Sequence, residues 1–183
     1  MIFKETKLHG AYTVELEPFV DERGFFARGW CKTEFERHGL KADLCQCNLS
    51  GNKRKGTLRG MHYQIPPYSE TKYIRCIRGS VYDVIIDLRK DSPTYKQWNG
   101  VVLSADNRIG YYVPEGFAHG YLTLEDDSEV LYLTTAFYNH DAEDAVRWDD
   151  QAFSIDWPLK NGQELIISDK DKIHDNWTDD RAL

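Results

Sequence analysis

The chain has few of the features that would tie it to a covalent framework, a membrane or a nucleic acid. Only four cysteines occur in 183 residues, at Cys31, Cys45, Cys47 and Cys76. None forms a CxxC pair, so neither a disulfide framework nor a four-ligand zinc site is expected, and the thiols are read as reduced. No run approaches the ~18 apolar residues of a membrane span, and no N-terminal signal pattern is present. A soluble, cytoplasmic protein is therefore expected. The net charge is −7, and no cationic cluster is longer than Lys53-Arg54-Lys55. That argues against a nucleic-acid polymer as partner, although a few focused cations could still hold a small anion. Alanine is sparse, whereas aromatics make up 13%, with eleven Tyr and five Trp. Such a composition suits strands and aromatic-lined pockets.

The length fits one domain spanning 1–183, large enough to bury a core without staples. Short runs of strand character, about ten residues apart with turn residues between them, point to an all-β sandwich or barrel. A weakly alternating strand is expected within 2–20. The Thr33-Glu34-Phe35-Glu36 spacing suggests a capping box, and Gly39 a stop, for a short helix. Asp43–Ser50 alternates, with Gln46, Asn48 and Ser50 on one face. Val81–Leu88 is a strand of buried type, and strands follow at 97–103, 108–113, 120–124 and 129–138. From Asp141 alternation fades into an acidic, Trp-rich tail expected to wrap the barrel and end in short helical pieces. On the residues alone, Ser168–Asp171 reads as a solvated loop.

The stretch Gly56–Gln64 stands at the centre of this pattern. Strict alternation places Leu58, Gly60, His62 and Gln64 on one face and Arg59, Met61 and Tyr63 on the other. Polar groups on an inward face suggest a lined cavity. If Arg59 and His62 serve one ligand, Gly60 marks a bulge, or Arg59 serves a neighbouring subunit.

A strand histidine, the Pro114–Gly120 turn with its His119, and repeated glycine turns resemble the cupin superfamily of double-stranded β-helix, or jelly-roll, barrels. The usual HxH metal pair is replaced by His62-Tyr63-Gln64, which leaves two histidines where three or four ligands are expected. At a finer level the chain resembles the dTDP-4-dehydrorhamnose 3,5-epimerase family. The patterns that carry this likeness are Asp21–Phe26, Gln46-x-Asn48-x-Ser50, Leu58–Gln64, Lys72, Asp87-Leu88-Arg89 with Ser92-Pro93-Thr94, Pro114–Gly120, Tyr132 with Tyr138, Trp157-Pro158 and Ser168–Asp171.

The resemblance implies a metal-free, cofactor-independent homodimer in which an N-terminal strand pairs with the neighbouring subunit, acting on a nucleotide-linked 4-keto-6-deoxyhexose in deoxysugar biosynthesis. It implies His62 as base, oriented by Asp171, with Lys72 stabilising the enolate and Tyr138 returning the proton. Tyr132 would share a strand face with Tyr138. Arg59 and Arg23 would hold phosphates, and Phe26, Gln46, Asn48 and His119 would complete the substrate site. Arg28 and Leu133 depart from the common family pattern, so dTDP, CDP and GDP linkage remain open. So do one or two epimerised centres, a metal-dependent cupin and a binding-only cupin.

Overall fold

The computed structural model describes residues 1–160 and 164–183. In chain order the strands are β1 (Ile2–Glu5), β2 (Tyr12–Glu15), β3 (Phe19–Asp21), β4 (Gly24–Phe26), β5 (Gln46–Asn52), β6 (Thr57–Gln64) and β7 (Lys72–Arg78). They continue with β8 (Ser80–Asp87), β9 (Trp98–Ser104), β10 (Gly110–Val113), β11 (Phe117–Thr123), β12 (Ser128–Thr134), β13 (Glu143–Ala145) and β14 (Ile166–Ile167). Two short helices accompany them, α1 (Lys32–Arg37) and α2 (Asp169–Lys172).

Two sheets face each other. One runs β1-β2-β10-β7-β12-β5, and the other β13-β6-β11-β8-β9 with β14 parallel to β6. The hairpin β3–β4 forms a separate two-stranded sheet. Inward side chains of both sheets form the apolar filling, with Ile74, Val130 and Val113 meeting Val81, Ile85, Leu103 and Phe117. The outer faces are covered as well. The tail lays Val146, Phe153, Trp157 and Trp177 over Leu58, Val84, Ile86 and Leu122. On the other side Phe35 and Leu40 pack on Val14, Tyr73 and Tyr112. A sheet buried on both faces loses the apolar/polar alternation of a half-solvated one, which explains why β8 reads as a nearly continuous apolar run. Each fully buried large apolar side chain in these layers contributes about 1.5–3 kcal/mol.

Several expectations need correction. The 2–20 segment is three strands, of which β1 and β2 join this chain's own first sheet. Helix α1 starts one residue before Thr33. Its N-cap is Cys31, which makes no side-chain cap. The helix is therefore fixed by burial of Phe35, edge-on to Phe3 and Tyr73, rather than by a capping box. Gly39 does end it, with a left-handed φ of 71°. The strand expected over 129–138 stops at Thr134, so Tyr138 lies in the following segment.

The decisive irregularity is in β6. His62 pairs with His119, but Arg59 pairs with Tyr121, so three steps along β6 match two along β11. One extra residue in β6 is a bulge, and it turns Arg59 to the same side as His62. Leu58, Met61 and Tyr63 accordingly pack outward beneath the tail. Gly60 makes this possible with φ +127°, and a Cβ there would stand 2.5 Å from the Gly120 Cα and 2.9 Å from the His119 carbonyl. Gly60→Ala is expected to lower stability by at least about 2 kcal/mol, through backbone strain and overpacking. Gly51→Ala, which meets nothing within 4 Å, should stay within about 0.5 kcal/mol. Urea midpoints check both, and equal midpoints would show that β6 and β11 can separate freely.

Candidate active site

Inward positions that would otherwise carry apolar residues are polar along five neighbouring strands, and they line a cavity of 540 Å³. β5 supplies Gln46, Asn48 and Ser50, β6 supplies Arg59, His62 and Gln64, β7 begins with Lys72, β11 gives His119, and β12 gives Tyr132 and Thr134. Tyr138, Glu143, Lys170 and Asp171 close the wall from the segments that follow.

The His62 ring reaches Asp171 with Nε2 2.8 Å from Oδ1. The two residues are 109 positions apart in the chain, and α2 bridges the gap. Ser168 caps that single turn by accepting the Asp171 amide at 3.1 Å, which leaves Asp171 4% exposed beneath β6. The solvated-loop expectation for Ser168–Asp171 is thus overturned by the capped turn, which points its third residue inward. Burial alone would raise the Asp171 carboxyl, but the hydrogen bond and charge of His62, with the Gly60 amide and Ser168, outweigh it. They hold the carboxyl below the usual carboxylate range. Asp171 thus engages Nε2, the ring nitrogen on the side of α2.

A second pair lies beside the first. Both Asp83 carboxylate oxygens stand 3.0 Å from His119 Nε2. Asp83 is wholly buried, and that burial pushes its carboxyl up against the opposing pull of His119. Lys72 Nζ lies 3.1 Å from Glu70 Oε1 and 3.4 Å from the His62 carbonyl, with its side chain 10% exposed. Arg59 is anchored by Nε donating to Asn52 Oδ1 at 2.8 Å. Burial raises the Tyr132 phenol.

Tyr138 is held without a strand. Its amide donates to Gln46 Oε1 at 2.5 Å, and Gln64 braces the same segment by accepting the Asn139 amide at 2.7 Å. Its hydroxyl donates to Glu143 Oε2 at 2.9 Å, which raises the phenol. Glu143 also accepts from Lys170.

Nine of the eleven expected site residues therefore meet at one cavity: His62, Lys72, Asp171, Tyr138, Gln46, Asn48, Arg59, His119 and Tyr132. Arg23 and Phe26 do not. They sit on the β3–β4 hairpin, Arg23 paired with Asp21 and Phe26 71% exposed. Sequence reasoning missed Glu70, Asp83, Glu143 and Lys170. For Asp83 a signal existed, a charged residue inside an apolar strand, which almost always needs a partner. Among the described residues no group of three or more His, Cys, Asp or Glu stands where it could hold a metal ion.

Two facing sheets that enclose a cavity with a carboxylate-paired histidine define a cupin-like barrel equipped for acid/base chemistry. The family model described as dTDP-4-dehydrorhamnose 3,5-epimerase matches residues 5–179. An enzyme of that name from Methanothermobacter thermautotrophicus is 43% identical over 175 residues, 96% of this chain and 92% of its own. The Bacillus anthracis dTDP-4-dehydrorhamnose 3,5-epimerase, solved with TDP and PPi bound, superposes with a TM-score of 0.91 at 41% identity. The match covers 96% of this chain and 99% of that one. The Legionella pneumophila epimerase, in complex with dTDP-4-keto-L-rhamnose, gives a TM-score of 0.87 at 34% identity, covering 93% and 89%. The chain belongs to the dTDP-4-dehydrorhamnose 3,5-epimerase family.

A carboxyl held below its unfolded value adds stability above that value, about pH 4, and loses it as pH falls through the folded one. The stability difference between wild type and Asp171→Asn should thus be largest near neutrality and narrow on acidification below about pH 4. Urea titrations at several pH values check this, and a difference that widens in acid would show Asp171 is not bound as a carboxylate.

Proposed function

We propose that the chain epimerises a nucleotide-linked 4-keto-6-deoxyhexose at C3 and C5, converting dTDP-4-keto-6-deoxy-D-glucose to dTDP-4-keto-L-rhamnose without a cofactor. The observation that carries this reading is the His62–Asp171 pair at the cavity, with Lys72 from β7 of the facing sheet and Tyr138 on the segment between β12 and β13. Both C3 and C5 are α to the ketone. His62 removes the proton there, and Asp171 stabilises the imidazolium that forms. The Lys72 ammonium, on a side chain only 10% exposed, meets the negative charge that develops on the C4 oxygen. Tyr138 delivers a proton to the carbanion. Inversion at a carbon requires base and acid to meet it from opposite faces, since removal and return on one face would restore the starting sugar.

The diphosphate falls to Arg59, with His119, Gln46, Asn48 and Tyr132 completing the binding wall. Arg23 and Phe26 are assigned to the same site through a second copy of the chain. The β3–β4 hairpin exposes Phe19 by 78%, Val20 by 74% and Phe26 by 71%, an apolar surface that a homodimer would cover. The hairpin is then the N-terminal segment exchanged between subunits of a single-domain protein. All four cysteines are free thiols, which supports a cytoplasmic location.

Incubation with dTDP-4-keto-6-deoxy-D-glucose in D₂O is expected to place deuterium at C3 and C5. His62→Ala should reduce this by about 10²–10⁴-fold while urea unfolding shows an intact fold. Uptake at one carbon would assign the single-centre reaction. No uptake with dTDP-, CDP- or GDP-linked substrates would leave binding without catalysis, and activity lost to a chelator would assign a metal-dependent enzyme. Sedimentation equilibrium should give a dimer mass, shifted toward monomer by Val20→Asp. A monomeric wild type would remove Arg23 and Phe26 from the site.

A further inference from the structure

A proton delivered by Tyr138 leaves a tyrosinate that must be recharged before it can act again. An enzyme that inverts two centres of one bound sugar needs this while the sugar still covers the phenol. The wall behind Tyr138 holds a route. Its hydroxyl and the Lys170 ammonium both donate to one atom, Glu143 Oε2, at 2.9 and 2.5 Å. Glu143, whose side chain is 16% exposed, lies between Lys170, whose side chain is 56% exposed, and Tyr138, 57% exposed, so a sugar seated on the phenol leaves Lys170 as the end open to water. We propose that Lys170 and Glu143 form a proton relay that reloads Tyr138 from solvent between successive deliveries. The relay rests on the assignment of Tyr138 as the acid.

The steps balance. The Tyr138 O–H bond breaks as a C–H bond forms on the sugar. Glu143 then passes a proton to the phenolate oxygen while taking one from Lys170. The neutral amine regains its proton from water, and the proton taken by His62 returns to solvent. No oxidant or co-reactant is needed. The driving force is local, because a phenolate and a carboxylate oxygen 2.9 Å apart repel as like charges until a proton lies between them. The ordinary values of lysine and tyrosine, about 10.4 and 10, nearly coincide, so the net transfer is close to thermoneutral. The shared carboxylate raises both groups, Lys170 through its hydrogen bond to Glu143 and Tyr138 through its own. Burial pushes the Glu143 carboxyl up, but the bonds from Lys170 and Tyr138 outweigh it and keep it ionised to accept both.

The test is a rapid-quench time course in D₂O with dTDP-4-keto-6-deoxy-D-glucose, enzyme in excess, comparing wild type with Glu143→Gln and Lys170→Ala. Tyr138 starts loaded, so the first deuterium should arrive at close to the wild-type rate in both variants. The next delivery should slow by about tenfold or more, so that singly labelled sugar accumulates. Ethylammonium should restore the second phase in Lys170→Ala but not in Glu143→Gln. If the wild type labels a single carbon, the course is repeated with substrate in excess, and the two phases are read as first and later turnovers. Equal slowing of both deliveries would reduce Glu143 and Lys170 to holding Tyr138 in place, and no slowing would remove them altogether. Either result overturns the relay. Tyr138→Phe separates the two levels of the argument. If it delivers both deuterons at the wild-type rate, the acid assignment fails and the relay with it; if it delivers none while Glu143→Gln is unimpaired, the relay alone fails.

Discussion

The close approach of β6 and β11 at Gly60 and Gly120 sets what the cavity can contain. A regular β6 would turn Arg59 away from His62, because successive strand residues face opposite sides. The bulge supplies the missing half-period, and it needs both glycines. A Cβ on Gly60 would run into Gly120, and one on Gly120 would lie 2.6 Å from the Met61 sulfur and 2.7 Å from the Arg59 carbonyl. The same irregularity brings the Gly60 amide to Asp171, 3.5 Å from Oδ2. One local departure from the ladder thus sets the direction of a cation and contacts the carboxylate that holds the His62 ring.

The tail depends on the same sheet. Trp157 and Trp177 are anchored in the outer layer over β6, β8 and β11, and β14 pairs with the start of β6. These contacts place α2 beneath His62, so packing far from the cavity determines whether Asp171 reaches the ring. Loss of apolar contact in that layer would be felt as a misplaced carboxylate as well as lost stability.

Much of this was legible in the chain, and the failures have physical causes. The period-two row Gln46, Asn48 and Ser50 was readable because polar side chains recurred at strand spacing, and all three line the cavity. The all-β class followed from composition and turn spacing. The face of Arg59 was not fixed by residue types, since a bulge is a property of two strands together, although Gly60 marked where it could lie. Tyr138 read as the end of a strand over 129–138, on the same face as Tyr132. The strand ends at Thr134, and past Thr135, whose amide still donates to the Thr71 carbonyl, the segment is held by the side chains of Gln46 and Gln64 rather than by a backbone ladder. Asp171 read as a solvated acid because its environment comes from residues more than a hundred positions away, which no local pattern encodes.

The charges around the cavity resolve an apparent conflict. A chain of net charge −7 repels an anionic nucleotide at long range, yet the cavity wall carries Arg59, Lys72, Lys170 and two histidines. Each of these groups lies against a partner: Asn52 for Arg59, Glu70 for Lys72, Glu143 for Lys170, and Asp171 and Asp83 for the rings. These partners lower the net charge of the site but fix the direction of every donor. At separations of a few ångströms in a shielded cavity, direction outweighs net charge, because interactions there are screened far less than those across the solvated surface. Arg59 differs from the other cations in being held by a neutral amide. It keeps its full charge for a ligand, which is the property a phosphate-binding position needs and a proton-transfer position does not.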